Sequence, residues 1–261
     1  MKTSGKTALI TGAASGIGRE FSRIHAEKGG NIVAVDINAE GLKELKHGLE
    51  HKHGVEVYAI VKNLTQLTAP QEIYDEVLHQ GIEVDYLINN AGFGGVGAFH
   101  ERDWAKDQAM IQVNVLALTS LTRQFLPDFV ARDSGRILNV SSTVSLVPGP
   151  LQAVYFATKA YVTSFSQALH GELSDTGVSM TALLPGATKT AFGDSSGMDK
   201  TPIYKKPASA RDVAEEGYKA MENGEIQVIA GLPWEQRMEL KFIPFMSKKA
   251  LINRMKKQST H

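Results

Sequence analysis

Between an apolar run at Thr7–Thr11 and a helically patterned segment beginning at Gly16 lies Thr11-Gly12-Ala13-Ala14-Ser15-Gly16-Ile17-Gly18. Glycines let the backbone turn tightly and approach a pyrophosphate, whose charge then sits among the unpaired N–H groups of a helix N-terminus. The spacing is GxxxGxG rather than the commoner GxGxxG, with the same physical task. A glycine-rich turn alone is often only a turn, but this one falls between a strand and a helix, as phosphate binding requires. Asp36 closes the next apolar run, 18 residues after Gly18. That is close to the ~20-residue offset at which a carboxylate meets the adenosine ribose hydroxyls. A carboxylate there accepts from a 2′-OH and repels a 2′-phosphate. Neither Ser15 nor the neighbours Ile37 and Asn38 supply the cation that NADP would want. NAD(H) is the favoured cofactor and NADP(H) the lesser one; the bland alternative is a solvated aspartate at a strand end.

Tyr155 and Lys159 stand four residues apart at the start of a second helical pattern, so their side chains share one face. Tyr58 and Lys62 repeat that spacing, but they fall mostly on a predicted strand and would share no helical face. Ser142 distinguishes the first pair. It precedes Tyr155 by 13 residues, just past the apolar run Arg136–Val140, and ligands in open α/β sheets bind beyond the carboxyl ends of the strands. The same offset selects Ser142 over Ser141.

The elements that must position these groups alternate between apolar β-rich runs and helical patterns, which predicts βαβ units around a parallel sheet. Strands are expected at Thr7–Thr11, Asn31–Ile37, Val55–Val61, Asp85–Asn89, Arg136–Val140, Val178–Leu184 and Gln227–Ile229. Helices are expected at Gly16–Lys28, roughly Ala39–Lys52, Pro70 to about Gln80, roughly Asp103–Val130 (one long helix), about Val154–Leu173 and Ala210–Asn223. Gly186–Pro207, rich in Gly, Ser, Thr and Pro, reads as a loop. With 43% apolar residues in 261 and no linker, residues 1–261 read as a single domain with an amphipathic extension at about 232–261. Twenty-eight basic residues balance 28 acidic ones, so no net field favours nucleic acid. Cysteine is absent, and no apolar run reaches the ~18 residues of a membrane span. Nor does the polar stretch Met1–Lys6 resemble a secretory signal. A cytoplasmic protein is the expectation.

Thr11–Gly18, Asn89-Asn90-Ala91-Gly92, Asn114, Ser142, Tyr155-x-x-x-Lys159 and Pro185-Gly186 resemble the classical short-chain dehydrogenase/reductase family in order and spacing, over about residues 5–230. The resemblance implies a doubly wound Rossmann-type α/β fold, a three-layer sandwich with a mostly parallel sheet of about seven strands. It implies interconversion of an alcohol and a carbonyl with a nicotinamide cofactor. Tyr155 would give a proton to the carbonyl oxygen in reduction and take one from the alcohol in oxidation. A free tyrosine, with a pKa of ~10, is a poor base near neutrality, and the Lys159 ammonium would favour its phenolate. Lys159 would also hold the nicotinamide ribose, Ser142 would hydrogen-bond the substrate oxygen, and Asn114 would hold a water linking the lysine to solvent. Gly12, Ser15, Gly16, Ile17, Gly18, Asp36, Asn90, Ala91, Gly92, Pro185, Gly186, Thr188 and Thr190 would join Tyr155 and Lys159 in binding the cofactor, while Asn89 braces the sheet. The chain departs from the family after the third strand, where Asn63-Leu64 replaces the usual aspartate; adjusted adenine affinity is expected there. A homodimer or homotetramer through the helices at Asp103–Val130 and from Val154 is also implied.

Phe93–Gly97, Val144–Gln152 and Gly186–Pro207 should surround the substrate. They are largely apolar and hold no arginine cluster for an anionic group. A lipophilic ketone or secondary alcohol (acyl chain, steroid-like or aromatic) is expected. His47, His51 and His53 lack a carboxylate-rich partner segment and read as a solvated face, so no metal site is expected. From Trp234 to Lys257, aromatic and aliphatic residues alternate with seven lysines and arginines. A helix pair over the cleft or against a subunit is the main reading of this tail, and contact with a membrane surface the lesser. Pro244 would break any single long helix there. Two rivals to an NAD(H) enzyme remain: an NADP(H)-preferring carbonyl reductase, and a protein that senses dinucleotide without turnover.

Overall fold

The computed structural model describes residues 5–197 and 207–259. In chain order it runs β1 (Thr7–Thr11), α1 (Gly16–Glu27), β2 (Asn31–Asp36), α2 (Ala39–His53), β3 (Val57–Val61), α3 (Ala69–His79) and β4 (Tyr86–Asn89). Then come α4 (Trp104–Ile111), a π-helical turn (Gln112–Ala117), α5 (Leu118–Ala131), β5 (Gly135–Val140), a 3₁₀ turn (Thr143–Leu146), α6 (Ala153–Glu172) and β6 (Val178–Pro185). The chain continues through β7 (Thr188–Lys189), α7 (Ala191–Ser196), β8 (Ala208–Ser209), α8 (Ala210–Glu222) and β9 (Gln227–Ala230). It finishes with α9 (Trp234–Lys241), a 3₁₀ turn (Ile243–Phe245) and α10 (Lys248–Ser259).

Seven strands form one sheet in the order β3-β2-β1-β4-β5-β6-β9, and every pairing in it is parallel. A parallel strand buried on both faces needs apolar side chains on both, which explains the unbroken run Ala8-Leu9-Ile10. Ala8 and Ile10 meet Phe21 of α1, Leu42 of α2 and Val213 of α8 in one core. Leu9 faces the other way, into a core with Ile73 of α3 and Phe125 and Phe129 of α5. The order of connection reverses between β1 and β4, and this opens a crevice at their carboxyl ends.

The sheet has the seven strands expected, and all of its pairings are parallel. Two expectations need correction. The helix expected from Asp103 to Val130 is interrupted by the π turn at Gln112–Ala117, which contains Asn114. A π turn is a local i→i+5 change in main-chain bonding inside a helix, and no residue type marks it in advance. The segment expected as a loop after Gly186 contains β7, paired with β8, and α7; its residues 198–206 lie outside those described. Pro244 does separate the tail into two helices, and none of the described helices is long and apolar enough to cross a membrane. Arg237 pairs with Glu216 of α8, Arg254 with Glu239, and Met255 of α10 is buried in a cluster with Tyr155.

His25 ties α1 to α8 and to the chain before β1. Its Nε2 lies 3.1 Å from the Lys6 carbonyl oxygen. A carbonyl only accepts, so Nε2 carries the proton and Nδ1 accepts from the Tyr218 hydroxyl at 2.6 Å. Burial lowers this imidazole from 6.5 to about 4. Between those values the unfolded chain holds a proton that the folded one refuses, so this contribution is complete above pH 6.5 and is lost as pH falls through 4. Chemical denaturation from pH 7 to 4 should show the wild type losing on the order of 3 kcal/mol more than His25→Gln. Equal pH slopes in the two proteins would refute the assignment.

Candidate active site

The crevice is fastened at its base by Thr11. Its Oγ1 accepts from the Asn90 and Ala91 N–H groups at 3.0 Å each, and Asn90 Nδ2 donates to the Thr11 carbonyl at 2.9 Å. Gly12 then turns with φ +66, a conformation that side chains disfavour. A Cβ on Gly18 would lie 2.2 Å from the Gly12 carbonyl oxygen, so only glycine lets α1 begin this close to β1. Ser15 stands at the N-cap of α1 but makes no side-chain cap bond. At the end of β2, Asp36 is oriented by two backbone donors: Oδ2 accepts from Ala14 N at 3.0 Å and Oδ1 from Asn38 N at 2.9 Å.

Beyond β5 the two adjacent serines divide their work. Ser141 Oγ donates to the Lys159 carbonyl at 2.9 Å and lies 2.6 Å from Thr163 Oγ1, which locks α6 to the strand end. Ser142 Oγ makes two long bonds, to the Pro185 carbonyl at 3.4 Å and from Val144 N at 3.3 Å. Such weak contacts leave that hydroxyl available to a stronger partner. On α6, Tyr155 packs against Phe192 and Phe156, and Lys159 Nζ donates to the Val140 carbonyl at 2.8 Å. Burial without a counter-charge lowers Lys159 from 10.5 to about 8.

Gly12, Ser15, Gly16, Ile17, Asn90, Ala91, Gly92, Ser142, Tyr155, Lys159, Pro185, Gly186, Thr188 and Thr190 line a single cleft. The remaining expected residues, Gly18, Asp36, Asn63, Leu64 and Asn114, are outside that lining. Gly18 supports the loop from behind. Asn63 Oδ1 accepts from Thr65 N and Oγ1 at 3.0 and 2.9 Å, which commits its carbonyl to a local turn, and Leu64 packs on the second core. Asn114 braces the strand-end loop: Oδ1 accepts from Phe93 N at 3.1 Å, and Nδ2 donates to the Phe93 carbonyl and to Thr158 Oγ1. Its side chain thus ties the loop after β4 to α6. Asn89 does brace the sheet, through Thr122 and Asn139.

Some contributors were missed from sequence. Arg102 forms a buried pair with Asp107 and donates to the Val96 carbonyl at 2.9 Å, fixing the loop after β4. A Cβ on Gly95 would lie 2.4 Å from Arg102 Nη2, so the glycines around Val96 are the sequence trace of this contact. The hydroxyl chain Ser141–Thr163–Ser145 carried no recognisable signal. Tyr58 and Lys62 bond Glu76 and Glu72 instead of each other. His47 and His51 stack with centroids 6.1 Å apart, and among the described residues no group of three or more His, Cys, Asp or Glu is placed to hold a metal.

A family model described as short chain dehydrogenase matches residues 6–201. The chain belongs to that family. It is 33% identical over 199 residues to the very-long-chain 3-oxoacyl-CoA reductase of Rattus norvegicus, covering 72% of this chain and 61% of the relative. With a 3-oxoacyl-[acyl-carrier-protein] reductase of Thermotoga maritima it shares 32% identity over 217 residues, 82% of either chain. A short-chain dehydrogenase from Sphingobium yanoikuyae in complex with NADPH superposes with a TM-score of 0.82 at 30% identity, covering 90% of this chain and 91% of that one.

The depressed Lys159 value has a measurable consequence for this member of the family. Between pH 8 and 10.5 the unfolded chain retains a proton that the folded chain has released, so folding bears the full penalty below pH 8 and is relieved of it as pH rises. Relative to Lys159→Met, the wild type should gain on the order of 3 kcal/mol in denaturant titrations as pH rises from 7.5 to 10.5. A difference that does not vary with pH would show that the ammonium is not desolvated.

Proposed function

We propose that this protein is an NAD(H)-dependent oxidoreductase that interconverts an alcohol and a carbonyl on a lipophilic substrate. The observation that carries the reading is the convergence of Ser142, Tyr155 and Lys159 on one cleft with the glycine loop and Pro185–Gly186. The residues fit a dinucleotide: Gly12 and Gly16 of the loop line the cleft without side chains, and the Asp36 carboxylate is held at the loop's edge by the Ala14 N–H. When bound, the nicotinamide supplies or accepts the hydride. Tyr155 gives its hydroxyl proton to the carbonyl oxygen in reduction and recovers it from the alcohol in oxidation. Ser142 donates a hydrogen bond to that same oxygen and orients it. Lys159 holds the nicotinamide ribose and, when protonated, favours the phenolate of Tyr155. Asn114 holds a water that links Lys159 to solvent as a proton relay. Asn63 and Leu64 flank the adenine, and Thr188 and Thr190 hold the carboxamide end.

Around Tyr155 the wall is apolar, built from Phe93, Val96, Met110, Val144, Phe192 and Met255, which suits a hydrocarbon chain or ring system. The rat and Thermotoga relatives, named as 3-oxoacyl reductases, favour an acyl chain. The NADPH complex of the Sphingobium protein favours the rival cofactor, while Asp36 opposes a 2′-phosphate. The chain acts as one unit, with the extension from about 232 closing over the substrate, in a cytoplasmic homodimer or homotetramer. Half-exposed Leu116, Val130 and Tyr161 give the two long helices an apolar outer surface for that assembly.

NADH and NADPH consumption over a panel of lipophilic ketones and 3-oxoacyl thioesters tests the reading. Tyr155→Phe should lower kcat by roughly 10²- to 10⁴-fold while NADH binding changes less than about threefold; unchanged turnover would remove Tyr155 from the chemistry. Asp36→Ala should weaken NADH roughly tenfold and tighten NADPH, since the lost hydrogen bonds and lost repulsion act in opposite senses. Tighter NADPH than NADH binding in the wild type would decide for the rival cofactor.

A further inference from the structure

The chain carries no net charge, but its charges are unevenly spread. All 28 acidic residues precede Leu240, whereas six lysines and arginines fall between Lys241 and Lys257. The segment from Leu240 onward is therefore purely cationic. Large apolar side chains stay in water in the same region. Trp234 is 70% exposed, Phe242 60% and Phe245 86%, with Met238 and Ile252 also exposed. A single exposed apolar residue needs no explanation, but a group of them marks a contact surface. Trp234, Met238 and Phe242 repeat at four-residue spacing along α9 and its C-cap, so they form one stripe, and Phe245 follows in the next turn.

The other side of the tail is already engaged. Arg237 of α9 pairs with Glu216 of α8 and donates to the Leu232 carbonyl at 2.8 Å, and Arg254 of α10 pairs with Glu239. Leu251 and Met255 of α10 are buried, Met255 in the layer that contains Tyr155. The tail is thus fastened to the body by one face, while the stripe and Lys248, Lys249 and Lys257 remain exposed. On α10, Lys249, Ile252 and Lys256 follow at three- and four-residue spacing, which sets ammonium groups beside an apolar side chain. Rings bordered by lysines are what a helix lying at a lipid interface needs. The rings enter the headgroup region, and the cations meet lipid phosphates and carboxylates. A second copy of the chain suits the surface less well. A two-fold contact sets one patch against itself, and from Leu240 onward the patch offers its lysines no carboxylate.

We propose that the stripe Trp234–Met238–Phe242–Phe245, bordered by the lysines of α10, docks reversibly on an anionic lipid surface. The chain lies on that surface by its tail, and none of the described helices is long and apolar enough to cross it. No residue of the stripe lines the cleft, so docking is separate from the chemistry and its test does not depend on turnover. The helix that adds Met255 to the apolar layer belongs to the same tail. For the lipophilic substrate proposed above, docking brings that layer close to where such a compound partitions.

Vesicle co-sedimentation of the full-length protein tests this, with phosphatidylcholine alone and with roughly one-third phosphatidylserine. Partitioning onto the anionic vesicles should be at least roughly tenfold stronger, and should weaken as salt rises from about 0.05 to 0.5 M. The double substitution of Phe242→Ser and Phe245→Ser should lower it roughly 10- to 100-fold. Lys248→Gln with Lys249→Gln should lower it roughly tenfold on anionic vesicles and little on neutral ones. Thermal melting checks that each variant folds, and Phe245→Ser alone, at the most exposed position, replaces the double variant if that one does not. Trp104→Phe leaves Trp234 as the one indole of the chain, and its emission should shift to the blue on anionic vesicles. No binding to anionic vesicles at low salt overturns the proposal, as does a Trp234 emission that does not move, or equal binding by the wild type and either variant. Smaller oligomers of the phenylalanine variant in sedimentation velocity, with no vesicle binding by the wild type, would assign the stripe to a subunit contact instead.

Discussion

An ammonium group held inside the protein against a main-chain carbonyl sets the terms for everything around it. Lys159 reaches back from α6 to the last residue of β5 and donates to Val140, and burial of that charge is unfavourable enough to depress its pKa. The helix must therefore be fixed to the strand end with little freedom, and Ser141 does this by bonding the Lys159 carbonyl and Thr163. The loop opposite must come close without a side chain: a Cβ on Gly92 would lie 2.9 Å from Asn114 Oδ1 and 3.4 Å from the ammonium itself. Asn114 in turn holds Phe93 and Thr158, and Thr158 donates to the Tyr155 carbonyl. The position of Tyr155 is thus a consequence of how the cation is housed.

The cleft that results has two unlike halves. One is made of backbone: the glycine loop, Asn90–Gly92 and Pro185–Gly186 come from three strand ends of a wholly parallel sheet, whose order reverses between β1 and β4. Backbone polar groups and glycines suit a long, charged, conformationally extended cofactor. The other half is side-chain hydrocarbon, drawn from the loop after β4, the 3₁₀ turn, α7 and the last helix. Its shape depends on the Arg102–Asp107 pair, which holds the first of these loops by the Val96 carbonyl. A family that keeps the first half and varies the second can change substrate without changing chemistry.

The unbroken apolar strands, the helical stripes between them and the order of the glycine, serine, tyrosine and lysine motifs were legible because each follows from residues adjacent in the chain. Strand and helix periods are local geometry, and a parallel sheet buried on both faces leaves runs that a solvated sheet does not. Membership of the family and the meeting of Ser142, Tyr155 and Lys159 followed from the same local order, since a strand end and a helix start can be placed from sequence alone.

What the tertiary structure decided are contacts between residues far apart and the fate of individual polar atoms. The π turn at Asn114 is a local change in main-chain hydrogen bonding that no residue type in Gln112–Ala117 announces. Asn63 Oδ1 turns to Thr65 N and Oγ1, a local use that the residue type alone does not announce. Met255 meets Tyr155 across 100 residues of chain, a contact no period can encode. Gln152 reads as an ordinary polar residue before a helix; its isolation exists only because packing removed water from both of its polar atoms. Sequence determines which groups are present and how neighbours repeat, whereas desolvation depends on what every other part of the chain covers.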